Sequence, residues 1–477
     1  MKKNFIYNIV YQVLVLILPL ITMPYISRVL GADGVGIYSY THSIAYYFMI
    51  ISMLGLNNYG NRTIAKVRDD KNKLSKEFCS IYLFQLITST LMIILYLLYV
   101  TVFDNEYKEI AYIQTMFVIS AMFDINWFFF GIEKFKLTIT RNTVIKISSL
   151  LLIFLIVKTS KDVWKYTAIV AGSTLFCNLI LFTFLRKYIK ITKVTKKDVL
   201  KHLKPNLIMF LPVIAVSIYK IMDKIMLGIL SNVTEVGYYE NAEKVAQIPL
   251  TIITALGTVM LPRVSNMLSN NQEDRVKELL RKTMPFIMFL ALPMTFGVIA
   301  ISRDFSIIFF GSSFEKSGYL MQLLSVTLIF LSWGNVIRTQ YLIPKEKDRE
   351  YLISAFLGAL INFIMNIIFI PKYASLGACI GTITAEFVVM FYQSFVVRKD
   401  LEIKHYISSS VAFLIKSIIM FGVVILIGMN IEDRLLKIIV QVFTGGMLYG
   451  IMNFNYIINN LGIKKFLNKL RKENKLE

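Results

Sequence analysis

The chain has 477 residues, 56% of them hydrophobic and only 17% charged, with a mean hydropathy of +0.62. Soluble globular chains carry about a quarter of their residues as charges, so this composition excludes one. The net charge of +22 is spread over short gaps between apolar segments, which excludes a folded nucleic-acid-binding module.

Fourteen apolar stretches are predicted as helices, each near the roughly 20 residues needed to cross a bilayer core. The first, 5–27, is too long for a signal-peptide core and lacks a small-residue cleavage site, so it reads as an uncleaved span. Next come 35–57, 78–102, 110–130, 142–160 and 164–185. The basic segment 186–205 follows as a linker. Beyond it lie 206–230, 237–261, 284–302, 318–342, 351–370 and 376–397, and then two further spans, 408–428 and 435–459. Alternate gaps are rich in Lys and Arg, from Lys2 and Lys3 through RKYIKITKVTKKDVLKHLK to the tail KKFLNKLRKENKLE. The intervening gaps, such as RVLGADG, SNVTEV and NIEDR, are not. Roughly 36 basic residues fall in the first set against about 8 in the second, a bias that places both termini in the cytoplasm. No gap is long enough for a separate domain.

The two sides of the linker share a pattern. Val35-Gly36-Ile37-Tyr38 matches Val236-Gly237-Tyr238-Tyr239, and at the same offset of 201 residues (35 to 236) Arg62 falls on Arg263. This predicts an all-α integral membrane protein with two six-helix lobes, 1–185 and 206–397, in pseudo-twofold relation. Residues 398–477 add two helices and a basic cytoplasmic tail. Pro19, Pro24, Pro212, Pro285 and Pro293 inside predicted spans, and Pro205 at the mouth of the seventh, each remove a backbone donor, either to permit movement or to fix a kink.

Ionisable groups inside spans cost roughly 2.5–3.5 kcal/mol at a helix centre, so those retained here stand out. Lys220 and Lys224 lie one turn apart on one face, with Asp223 flanking it. They form either an anion site or an internally neutralised cluster. Arg338 is deep enough to hold a phosphate bidentately or to bridge to an acid on another helix. Lys146 and Lys416 read as snorkelling side chains. Asp124 and Glu386 are carboxyls able to carry a proton or cation, or to pair permanently with a lysine. Tyr46, Tyr47, Tyr238 and other clustered aromatics suit either an interfacial belt or a sugar-stacking surface. Cys79, Cys177 and Cys379 are isolated, which predicts neither a disulfide nor a metal site. No nucleotide-binding Gly-rich loop is present.

The opening LPLITMPYISRVLGADGVGIYSYTHSIAYYF resembles the first two helices of bacterial polysaccharide-unit flippases. So do FDINWFFFGIEKFK (123–136), DKIMLGILSNVTEVGYYENAEKV (223–245) and QYLIPKEKDREYL (340–352). These are the Wzx-type members of the polysaccharide transporter family, in the multidrug/oligosaccharidyl-lipid/polysaccharide exporter superfamily. The resemblance spans essentially the whole chain. It implies a non-enzymatic flippase in the bacterial cytoplasmic membrane that moves undecaprenyl-diphosphate-linked oligosaccharide outward by alternating access. The purpose would be capsule, O-antigen or exopolysaccharide assembly, with a polysaccharide polymerase and assembly machinery among its partners. It further implies coupling to a proton or sodium gradient with no bound cofactor. The cationic role then falls to Lys220, Lys224, Arg338 and Arg28, and the coupling role to Asp124, Asp223 and Glu386. A multidrug exporter of the same superfamily and a membrane polymerase are the competing readings.

Overall fold

The computed structural model describes the backbone of residues 2–103 and 106–460 and the side chains of 18–103, 106–218 and 221–459. Among these residues there are helices and turns but no strand. Among the described residues twelve helices are long and apolar enough to cross a membrane, corresponding to the third through fourteenth predicted spans. Their apolar side chains face outward: Leu155, Leu426 and Phe443 are 71%, 64% and 67% exposed. Exposure of this kind suits lipid and would be a liability in water, so the chain is a multi-pass membrane protein. Buried hydroxyls bond back to their own helix, as Thr167 does to the Val163 carbonyl (2.8 Å) and Ser410 to that of Tyr406 (2.7 Å). Such back-bonding satisfies these hydroxyl donors where water is absent.

The first two predicted spans both fall on α1 (Lys2–Met53), which turns at Gly31. There φ is 70° and ψ −179°, a conformation that only glycine adopts without strain. The helix continues through Pro19 and Pro24, so the break in it comes from glycine. Next come α2 (Leu56–Val67), α3 (Lys71–Val102), α4 (Lys108–Met122), α5 (Asn126–Gly131), α6 (Phe135–Ile156), α7 (Val163–Leu185), α8 (Lys196–Leu200), α9 (Leu203–Leu230) and α10 (Val233–Ala246). Asp70 starts α3 by accepting the backbone N–H groups of Asn72 and Lys73, which satisfies two of the orphan donors at a helix start.

The remaining helices are α11 (Ile248–Ser269), α12 (Glu273–Phe310), α13 (Glu315–Ser325), α14 (Thr327–Ile337), α15 (Asp348–Tyr373), α16 (Ser375–Val397), α17 (Ile403–Gly428), α18 (Arg434–Met452) and α19 (Phe454–Asn460). The predicted span 237–261 is therefore two helices. Pro249 occupies the first turn of α11, where its missing N–H costs nothing. The predicted span 318–342 is also divided, into α13, α14 and a π-helical turn at Arg338–Leu342.

By contact the chain forms two compact units. Unit 1 comprises 1–241 and 358–381; unit 2 comprises 242–357 and 382–477. Unit 1 thus gathers α9, most of α10, the C-terminal part of α15 and the start of α16 with the first eight helices.

One core of unit 1 surrounds Trp127. Its ring lies 5.5 Å from that of Phe78, and its indole N–H donates to Gln85 Oε1 (3.0 Å). The amide of Gln85 in turn donates to the carbonyls of Ala121 (2.6 Å) and Asp124 (3.0 Å). Gln85→Leu is expected to cost about 1–3 kcal/mol by stranding the indole donor. Thermal unfolding in detergent would measure it, and an unchanged midpoint would contradict the role assigned to this amide. In unit 2, Phe289 of α12 packs on Phe413 of α17 (5.6 Å), and Tyr449 of α18 donates to the Phe289 carbonyl (3.0 Å). The two last long helices are thereby built into that unit.

The 201-residue offset reappears as physical contact within unit 1. Asp33 accepts from Thr234, and Ser39 donates to Glu240 Oε2 at 3.0 Å; both pairs are 201 residues apart. A Cβ on Gly36 would lie 1.7 Å from the Val233 carbonyl oxygen, and one on Gly237 would lie 2.0 Å from that of Ala32. Ala32 and Val233 are themselves equivalent at that offset, as are Gly36 and Gly237. The same exchange relates Asn241 donating to Ser27 (2.8 Å) to Gly228 packed under the Tyr40 ring. Residue i of one repeat touches residue j of the other, and j touches i. That reciprocity is the signature of a local twofold axis.

Candidate functional site

The reciprocal contact carries a buried charge cluster beside it. Lys224 of α9 is 2.5 Å from Glu240 of α10, with side-chain exposures of 14% and 8%. Glu240 Oε2 also accepts from Ser39 of α1. One residue earlier on α9, Asp223 accepts from the Tyr239 hydroxyl (2.8 Å) and from the Asn366 amide of α15 (2.6 Å). Asn366 also donates to Asn362 one turn back (3.2 Å), and α16 approaches it through Gly381, where a Cβ would lie 2.3 Å from the Asn366 carbonyl oxygen. Glu240 is held by an ammonium, whereas the hydrogen bonds described to Asp223 come from neutral donors. The side chain of Lys220 lies outside the described residues.

A cavity of about 540 Å³ opens against this cluster. Lys224 lines it together with Tyr46, Pro212, Ser217 and Ile221. Pro212 cannot donate to the helix ladder, and Tyr47 donates to two carbonyls of the same stretch, Ser217 (3.3 Å) and Ile218 (3.2 Å). Above Tyr46 the aromatics continue through His42, whose ring is 6.5 Å away, to Tyr38 and Phe117, 5.3 and 4.5 Å from His42. The cavity therefore offers an ammonium, a hydroxyl and a ring face within one small volume, a combination suited to a phosphorylated and hydroxylated ligand.

Arg338, in unit 2, occupies the π-helical turn, where the Ile343 N–H bonds its carbonyl five residues back (3.0 Å). Its guanidinium donates to Asn335 Oδ1 (2.8 Å) and sits 5.9 Å from the Tyr351 ring centre. Among the described residues no carboxylate is within ion-pair distance of it, so the salt bridge weighed from sequence is not formed. Such a turn, common at functional sites, leaves a half-buried guanidinium with fork donors to spare. Arg338→Ala is expected to slow turnover about tenfold, with Arg338→Lys no better, because a point charge cannot replace the planar fork. Full activity of either variant in a transport assay would remove Arg338 from the site.

Asp124 sits in the break between α4 and α5, within the predicted span 110–130. It accepts the backbone N–H (3.0 Å) and side-chain amide (2.6 Å) of Asn126, which in turn accepts from Arg141 (3.0 Å). This geometry shapes a helix start. Glu386 is buried on α16 in unit 2, and Arg28 is exposed on α1. Lys146 is exposed, and Lys416 donates to Asn453 (3.0 Å).

Three residues of the cluster escaped selection from the sequence. Glu240 reads there only as an acid near the mouth of a span. Its equivalence with Ser39 at the repeat offset is the signal that could have placed it against the first repeat. Asn362 and Asn366 are amides one turn apart in an otherwise apolar helix, a pattern that marks a polar interior face.

A family profile described as "Polysaccharide biosynthesis protein" matches residues 1–268. The protein assigned as O-antigen transporter in Escherichia coli (strain K12) is 23% identical over 84% of this chain and 97% of its own. The lipid II flippase MurJ of Bacillus subtilis (strain 168) is 22% identical over 33% of this chain and 29% of its own. Among solved structures, lipid II flippase MurJ in an inward closed conformation superposes with a TM-score of 0.79 at 17% identity, covering 96% of this chain and 99% of that one. An inward-facing multidrug resistance transporter of the MATE family gives 0.60 at 13% identity, covering 80% and 97%. The helical fold is thus that of these two transporter structures.

Proposed function

The chain belongs to the polysaccharide biosynthesis protein family, and from that premise we propose that it is a flippase for undecaprenyl-diphosphate-linked oligosaccharide. It carries the lipid-linked unit from the cytoplasmic to the outer leaflet of the bacterial cytoplasmic membrane, with both termini in the cytoplasm. Polysaccharide polymerase and assembly machinery would use the product, in capsule, O-antigen or exopolysaccharide synthesis.

The observation that carries this reading is Lys224, an ammonium on a wall of the 540 Å³ cavity, neutralised by an acid from the neighbouring helix. A diphosphate and a glycan cannot cross hydrocarbon alone, because stripping water from charge and hydroxyls costs too much. The cavity supplies replacements. In the resting state Glu240 satisfies Lys224. An entering diphosphate competes for the ammonium with more charge and more acceptor oxygens. Glu240, released from its ion pair in a low-dielectric site, then favours a proton. Substrate entry and proton uptake are thereby linked without any bound cofactor, and a sodium ion could take the proton's place. Asp223, held by the Tyr239 and Asn366 donors, is the second acid of the coupling set; Asp124 and Glu386 are the further candidates. Tyr46 presents its ring to the sugar. In unit 2, Arg338 offers a further phosphate contact. A groove of about 370 Å³ between α12, α17 and α18, lined by Pro293, Met294, Gly445 and Tyr449, suits an isoprenoid chain.

The test is a sidedness assay. Purified protein in vesicles with a fluorescent lipid-linked glycan should move label to the opposite leaflet, faster under an imposed proton or sodium gradient. Export of cationic dyes with no movement of lipid-linked glycan would replace this reading with multidrug export.

A further inference from the structure

Unit 2 contains a second and larger cavity, of about 980 Å³, at the polar turn between α16 and α17. One wall is apolar, formed by Trp333, Met390, Phe391, Phe395 and Ile407. Phe391, Phe395 and Ile407 are themselves half exposed, so this wall is continuous with the lipid-facing surface. The other wall carries three cations, Arg398, Lys399 and Lys404.

Two acids share the polar wall, but both are engaged by cations outside it. Asp400 accepts from Lys347 Nζ (2.9 Å) and from the Tyr341 hydroxyl (2.7 Å). These bonds, the lysine's first, hold its carboxyl below the usual carboxylate range, so it stays ionised and committed to Lys347. Glu402 lies 3.6 Å from Arg281. By contrast, Arg398 donates to the Phe395 carbonyl (2.7 Å) and stacks on that ring, and among the described residues neither it, Lys399 nor Lys404 has a carboxylate within 4.0 Å. The wall is left with three uncompensated positive charges beside an apolar face open toward lipid.

We propose that this cavity is a resident site for an anionic diacyl phospholipid, distinct from the lipid that is moved. The phosphate sits among Arg398, Lys399 and Lys404, and the acyl chains run along Phe391 and Phe395. A soluble phosphate compound would leave the apolar wall unused. A zwitterionic lipid would bring a choline cation to a wall that already has three. The bound lipid would fix the turn that joins α16 to α17. The assignment stands whether or not the protein moves lipid-linked glycan.

Native mass spectrometry of the full chain in detergent, titrated with phosphatidylglycerol or phosphatidylcholine, tests it. Wild-type protein is expected to retain one equivalent of phosphatidylglycerol in preference to phosphatidylcholine. Each basic residue near an anionic headgroup contributes about fivefold in affinity, so the triple variant Arg398→Gln/Lys399→Gln/Lys404→Gln should bind about 100-fold more weakly. Lys404→Gln alone should lose about fivefold, which keeps the test valid if the triple variant is poorly folded. The control Lys193→Gln/Lys196→Gln/Lys197→Gln removes the same charge from exposed positions elsewhere and should retain the lipid. Equal loss in variant and control, or no preference between the two lipids, overturns the site. So does displacement of phosphatidylglycerol by equimolar undecaprenyl diphosphate, which would assign the cavity to the transported lipid's path.

Discussion

Lys224→Ala is expected to lower translocation about 100-fold, because a charge-assisted bond to phosphate contributes up to about 3 kcal/mol. The same change takes an ammonium away from Glu240, a buried acid whose side chain is 8% exposed. Breaking a buried pair from one side costs about 3–5 kcal/mol, so the variant should also unfold earlier. Adding Glu240→Gln removes the acid's charge and should restore most of the thermal stability while leaving transport at the level of the single variant. That split separates a binding role from a structural one. Recovery of transport together with stability in the double variant would mean that the pair only holds α9 to α10. Glu240→Gln alone keeps the ammonium and should bind lipid-linked glycan while losing dependence on the ion gradient.

Gly36→Ala is expected to be nearly as severe, for a different reason. The added Cβ would lie 1.7 Å from the Val233 carbonyl oxygen. A backbone atom cannot rotate away as a side chain would, so the helices must separate or the close state is lost. The reciprocal contact predicts the same outcome for Gly237→Ala, whose Cβ would meet the Ala32 carbonyl oxygen. In a variant with Cys79, Cys177 and Cys379 changed to serine, Asp33→Cys and Thr234→Cys should cross-link, since their parent side chains are hydrogen-bonded. Adding Gly36→Ala should abolish the cross-link and, with it, turnover. Undiminished cross-linking and transport would show that this close approach is not a state the working protein visits.

These two predictions draw on features that the sequence displays to different degrees. The Val-Gly repeat is visible in the chain, and its offset of 201 residues matches the contacts that form. Repeats diverge in side chains but keep glycine where backbones touch, because no other residue fits. The Lys224–Glu240 pair is not visible. Its members sit 16 residues apart across a turn, and nothing local distinguishes Glu240 from Glu243 three residues on. Arg338 was legible as a costly charge, whereas its π-helical turn and its Asn335 partner were not. Helix breaks fared similarly. Pro249 and Gly31 explain two of them after the fact, but the prolines inside α1, α9 and α12 look identical in sequence and leave those helices continuous.

The sequence by itself determined that the chain is helical, where its apolar segments lie and that its halves are related. Bilayer thickness and backbone hydrogen bonding act on runs of about 20 residues and need no tertiary information. Only the tertiary structure decided which charges meet. Pairing inside a low-dielectric interior depends on distances of a few ångströms between helices far apart in the chain. Those distances are set by packing of glycines, asparagines and aromatics on facing surfaces. The cavity beside Lys224 and the cationic wall at Arg398 exist because of that packing, and no local pattern announces either one.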